Sequence, residues 1–90
     1  MKVYVVNWKE TTIDEDNEMF VESGVCDYGY FDEKKAIEKI EALAEEKKNE
    51  CIEEIGYPEK DVVVEGREDF RSVIAGFNTY DYYVTIVEVE

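Results

Sequence analysis

Hydrophobic positions along the chain change period twice, and the changes divide it into elements. At the start, "KVYVVNWKE" places Val3 and Val5 on one face of an extended segment and Tyr4, Val6 and Trp8 on the other. Both faces are apolar, which predicts a strand inside a sheet rather than at its edge. "TTIDEDNE" reads as a polar loop, and "MFVESGVCDYGYF" as extended chain with its main strand at about Gly24 to Tyr30. The two strands are expected to pair as a hairpin around a long acidic loop. The period then becomes helical. Ile37, Ile40, Leu43, Ala44, Cys51, Ile52 and Ile55 form one stripe, Asp32 is placed to cap it, and Phe31 with Ala36 forms a candidate hydrophobic staple. Gly56 and Pro58 supply the stop. The stripe lapses over residues 45–50, "EEKKNE", so the expected helix, roughly 35 Å long, either overshoots the sheet or breaks there. A coiled coil is disfavoured because the seam fails after barely two heptads.

Beyond the helix, "DVVVE" reads as a strand, and "FRSVIAGF" with "YYVTIVEVE" as a hairpin turning at the four residues "NTYD". The predicted fold class is α+β: a mostly antiparallel sheet of four strands, with a fifth allowed, in the order β-β-α-β-β, and one long helix packed on one face. A helix about 10–12 Å wide cannot seal a sheet of four strands spaced ~4.8 Å apart. Apolar side chains are left over on the other face, which is a motive for a homodimer or a partner.

Composition narrows the function. The 90 residues make one domain, with 24 acidic residues against 10 basic ones and no histidine, for a net charge of −14. The excess is spread evenly over the chain, so the folded body itself is negative. Such a charge disfavours direct contact with nucleic acid or anionic membranes and favours a basic protein partner. Its bland meaning is a solvated, solubilising surface. Without histidine, a phosphate-cradling glycine loop or an activated serine, no catalytic constellation is assembled, and the expectation is that the chain is not an enzyme. Asp14, Asp16 and Glu18 begin like a calcium loop, but no glycine stands at its sixth position and Val25 occupies its twelfth. Neither a metal nor a cofactor is expected. Cys26 and Cys51 form no C-x-x-C pair and are read as reduced, core-facing thiols. With no signal-peptide pattern and no apolar run near ~20 residues, the expected location is the cytoplasm, with no membrane contact.

Seven tyrosines remain to be placed. In a regular strand, Tyr80 and one of Tyr82 and Tyr83 are expected to point away from the core, and Tyr28 and Tyr30 to share a face. Tyrosine is a preferred interface anchor and nearby carboxylates steer a basic partner. The candidate partner-binding residues are therefore Asp27, Tyr28, Tyr30, Tyr80, Asp81 and Tyr82. The opening "MKVYVV", the step "YFDEKKAIEKI" and the closing "YYVTIVEVE" resemble the patterning of short, uncharacterised proteins of bacteriophages and mobile elements. In size and charge the chain is also similar to acidic anti-restriction and anti-CRISPR inhibitors, some of which imitate the phosphates of DNA. That resemblance implies a cytoplasmic anti-defence module that engages a basic, nucleic-acid-handling host protein by acidic and tyrosine surface mimicry. The alternative is a structural protein whose open sheet face forms a homodimer.

Overall fold

A computed structural model describes residues 1–89, with the side chains of Asp27 and Tyr28 outside the described set. The chain forms β1 (Lys2–Ile13), β2 (Met19–Tyr30), α1 (Glu33–Glu50), β3 (Val62–Arg67), β4 (Phe70–Ala75) and β5 (Asn78–Glu88). It is an α+β fold with one antiparallel sheet in the spatial order β2-β1-β5-β4-β3. The chain order is thus β-β-α-β-β-β, which differs from the expected β-β-α-β-β. The first and last strands pair at the centre of the sheet, from Lys2 against Glu88 to Thr11 against Thr79.

The first hairpin is longer and its loop shorter than the polarity of "TTIDEDNE" suggested. β1 runs on through Thr11, Thr12 and Ile13 because β-branched residues suit a pleated ladder whatever their polarity. Only Asp14 to Glu18 turn. Asp14 Oδ1 accepts from the backbone N–H groups of Asp16 and Glu18, both at 2.9 Å, and Asn17 takes the left-handed conformation at φ 62°. Near its other end β2 carries extra residues, so the register shifts between Val5 and Asn7. Asn7 ties this irregular stretch to β5, donating to Thr85 Oγ1 at 2.9 Å and to the Val5 carbonyl at 3.1 Å.

The last hairpin turns at Gly76-Phe77, not at "NTYD". Ala75 pairs with Asn78, leaving a two-residue loop whose first position, Gly76, has φ 61°. The earlier turn draws Asn78 to Asp81 into β5 and decides which way its tyrosines point. The other two-residue turn, Glu68-Asp69, depends on Gly66 just before it, at φ 134°; a Cβ there would stand 2.2 Å from the Phe70 carbonyl oxygen. Gly66→Ala is therefore expected to cost about 2 kcal/mol, read as a lower urea midpoint with an unchanged slope. An unchanged midpoint would mean that the β3–β4 register is not held at this glycine.

α1 joins the outer end of one edge strand, β2, to the opposite end of the other, β3, so it crosses the sheet diagonally. That geometry explains its length: 18 helical residues span about 27 Å, more than the ~19 Å across five strands. Asp32 caps its N-terminus, its side chain accepting from the Lys34 N–H at 2.9 Å. Phe31 is 73 % exposed, so no staple closes onto Ala36. The helix does not break over residues 45–50. There Lys47 occupies the inward position between Ala44 and Cys51, and its ammonium sits 4.9 Å from the centre of the Tyr80 ring. A π-helical turn, Cys51–Ile55, follows and ends at Gly56 in the left-handed conformation. Cys51 stays fully buried while Ile55 is left exposed, outside the stripe that its spacing predicted.

The core lies between α1 and one face of the sheet: Val6, Ala36, Ile40, Ala44, Cys51, Val62, Val73, Ala75, Tyr80 and Tyr82. Trp8 lies over Gly24, where a Cβ would meet its ring at 2.9 Å. Arg71 fastens the helix to β4 through Glu41 at 3.0 Å. Cys26 and Cys51 are both free thiols. No helix among the described residues is long and apolar enough to cross a membrane.

Candidate interaction surfaces

Two of the tyrosines chosen from sequence, Tyr80 and Tyr82, are buried. Tyr80 and Tyr82 stand opposite Val73 and Arg71 on the face under α1, each 7 % exposed, so the expectation that Tyr80 points outward is corrected. Burial raises the pKa of both phenols, that of Tyr82 most, and neighbouring ionisable groups, Glu10 among them, add to the rise. Tyr30 faces the same side and packs half-buried against the core. Asp81 alone of the described candidates lies on the open face, next to Tyr83, and it is half-buried. The expectations for the side chains of Asp27 and Tyr28 lie outside the described residues. The remaining chemistry sits in two places.

The first is one pole of the molecule. The turn of the first hairpin carries Asp14, Glu15, Asp16 and Glu18, with Glu10 and Glu22 paired directly opposite each other in the ladder below it. The C-terminal half of the helix approaches the same end, since Lys47 reaches Glu50 at 3.1 Å and Glu10 at 4.0 Å. There Glu46, Asn49, Glu50, Glu53 and Glu54 line a shallow groove of about 240 Å³. Lys47 is turned inward, its side chain 17 % exposed, and its pKa is raised: burial lowers it, but the hydrogen bond and charge of Glu50, with Glu10 behind it, outweigh that. Large apolar side chains stand among these acids, with Phe20 52 %, Met19 65 % and Ile55 51 % exposed. Sequence reading found the acids of the hairpin but not the pole, because only the diagonal path of α1 brings its C-terminal glutamates to that end.

The second is the sheet face that α1 leaves open. Its side chains fall into rows across the strands. One row reads Val21, Thr11, Thr79, Ile74 and Val63; the next Ser23, Lys9, Asp81, Ser72 and Glu65; the next Val25, Asn7, Tyr83, Phe70 and Arg67. Val3 and Val87 pair beyond them. Phe70 and Tyr83 stack with ring centres 6.5 Å apart and form the floor of a depression of about 380 Å³, to which Lys9, Arg67, Asp69 and Asp81 contribute. Lys9 and Asp81 are cross-strand neighbours here, while Arg67 pairs with Asp69 at 3.3 Å.

Asp14 spends one carboxylate oxygen on its own turn, and among the described residues no three acidic or cysteine side chains gather closely enough to hold a metal ion. Burial beneath the helix raises the pKa of Tyr80, Tyr82 and the Cys51 thiol. Compared with protein-family models, curated proteins and solved structures, the chain matches none of them.

Proposed function

We propose that the chain is a non-catalytic protein-binding module whose acidic pole engages a basic protein, in the manner of an inhibitor that occupies the site where a host protein handles nucleic acid. The observation that carries this reading is where the carboxylates stand. Glu10 and Glu22 face each other across a ladder, where like charges repel. Glu53 and Glu54 crowd the C-terminal end of a helix, where the macrodipole disfavours anions, beside Glu50, which Lys47 holds at 3.1 Å. A charge meant only for solubility has no reason to collect where it lowers stability. Acids that bind a basic surface do. Exposed Phe20, Met19 and Ile55 would give such an interface an apolar centre inside a charged rim.

The test compares the wild-type chain with a Glu22→Gln/Glu53→Gln/Glu54→Gln variant. Removing the repulsion should stabilise the fold by about 1 kcal/mol in total. The same variant should capture less of the basic, nucleic-acid-binding proteins that the wild type retains from a bacterial lysate at about 0.05 M salt and sheds at about 0.5 M. Equal capture by the two chains, or a variant no more stable than the wild type, would remove the basis for this reading.

A further inference from the structure

We infer that the open sheet face is the interface of a homodimer, and that the strand register specifies how the two copies meet. The argument begins with charge. Two bodies of −14 repel each other, so a second copy must approach through a surface that is itself close to neutral. Among the described side chains of the open face, Lys9 and Arg67 stand against Asp81, Glu65 and Asp69, the last ion-paired with Arg67 at 3.3 Å, which leaves one excess negative charge of the fourteen. Around this near-neutral belt lie apolar residues that are exposed although they sit in regular strands, with Val25 57 %, Val21 50 % and Val87 46 % exposed.

The rows are also complementary to themselves. A two-fold axis that lies in the interface, parallel to the strands and between β1 and β5, sets β1 of one copy over β5 of the other and β2 over β4. Lys9 then faces Asp81 of the second copy, twice. Val21 meets Ile74, Thr11 meets Thr79, Ser23 meets Ser72, Val25 meets Phe70, and Val3 meets Val87. Val21–Ile74, Val25–Phe70 and Val3–Val87 set apolar on apolar, Thr11–Thr79 and Ser23–Ser72 polar on polar, and Lys9–Asp81 charge on opposite charge, as an isologous contact requires, whereas Asn7 meets Tyr83, Val5 meets Thr85 and β3 extends past the overlap. Aligned sheets in sandwiches cross at about 30°, which keeps this match best near the axis, where the Lys9–Asp81 pairs stand. The overlap is four strands wide: β1 over β5 along about ten residues and β2 over β4 along six come to roughly 500 Å² per partner, at the lower end of the sizes of specific interfaces.

This placement puts both acidic hairpin turns at the same end of the dimer. Their mutual repulsion is screened by salt, whereas the apolar contacts and the enclosed Lys9–Asp81 pairs are screened much less. Association should therefore tighten as salt rises, opposite in sign to binding of a basic partner, and it does not depend on that binding. The experiment is sedimentation of the full chain. At about 100 µM and 0.5 M salt the mass should be twice 10.5 kDa, with dissociation at least tenfold tighter than at 0.05 M. Val25→Lys, at an exposed position, should give a monomer with an unchanged circular dichroism spectrum. Lys9→Asp and Asp81→Lys should each be monomeric alone, and an equimolar mixture of the two should dimerise, because the mixture restores both pairs. A monomeric wild type, a dimer that survives Val25→Lys, or folded charge variants that do not complement each other would overturn the proposal.

Discussion

Ile40→Ala should lower stability by about 3–4 kcal/mol and the melting temperature by about 20 °C. Ile40 is the largest fully buried side chain among the described residues, on the helix face that meets β1, β4 and β5. Truncation removes three buried carbon atoms and leaves a void that a helix clamped at both ends closes poorly: Asp32 caps one end and Lys47 and Cys51 seat the other. Among the described residues no second α-helix packs on the sheet to share the load. A chain of 90 residues has a total stability of about 5–13 kcal/mol, so the loss is a large part of the whole. The contrast is Ile55→Ala, five residues past the α-helix in the same hydrophobic stripe, which should change stability by less than about 0.5 kcal/mol because the π-helical turn leaves it outside. Urea melts of both variants check this. A loss below about 1 kcal/mol at Ile40 would mean that α1 is not the lid of the core.

The same two residues show what a sequence can and cannot say here. Helical spacing put both in one stripe, and only a local change of pitch separates them. Spacing failed in the opposite sense at residues 45–50, where a lysine covers a tyrosine ring with its stem and charge and so keeps the helix seated without an apolar residue. The interior position of β1, its pairing with β2, the Asp32 cap and the free cysteines were legible because each follows from local pattern. The orientation of the tyrosines was not. In a strand of period two it depends on where the preceding turn falls, and the polar residues "NTYD" signal a turn later than the one Gly76 makes. With the turn at Gly76-Phe77, Tyr80 falls opposite Val73 and the candidate site moves off Tyr80 and Tyr82. Both candidate surfaces needed the tertiary path: the pole needs the helix diagonal, and the rows of the open face need β1 beside β5.

Those buried tyrosines give the protein a predictable alkaline limit. Stability should hold to about pH 9, decline from there and be mostly lost by about pH 12. Burial raises the Cys51 thiol above its ordinary 9.0 and the Tyr80 and Tyr82 phenols above their ordinary 10.0. Each group therefore deprotonates first in the unfolded chain, the unfolded state binds fewer protons, and stability falls as pH rises through that window. Lys47 acts in the same direction. Burial works against its charge, but Glu50 and Glu10 outweigh it and raise its pKa above 10.5, so its contribution is complete below that value and is lost as the pH passes the folded pKa. All four groups meet at the contact of α1 with β5, so the helix should lift as a unit rather than fray. Urea midpoints at pH 8, 9.5 and 11 measure the limb. Tyr82→Phe, which retains the ring and removes the ionisable hydroxyl, should be within about 1 kcal/mol of wild type at pH 8 and flatten the limb above pH 10. If Tyr82→Phe melts along the wild-type curve at pH 11, or if every phenol ionises near pH 10 while the fold persists, then Tyr82 is not sealed beneath the helix and the core is more open than its packing implies.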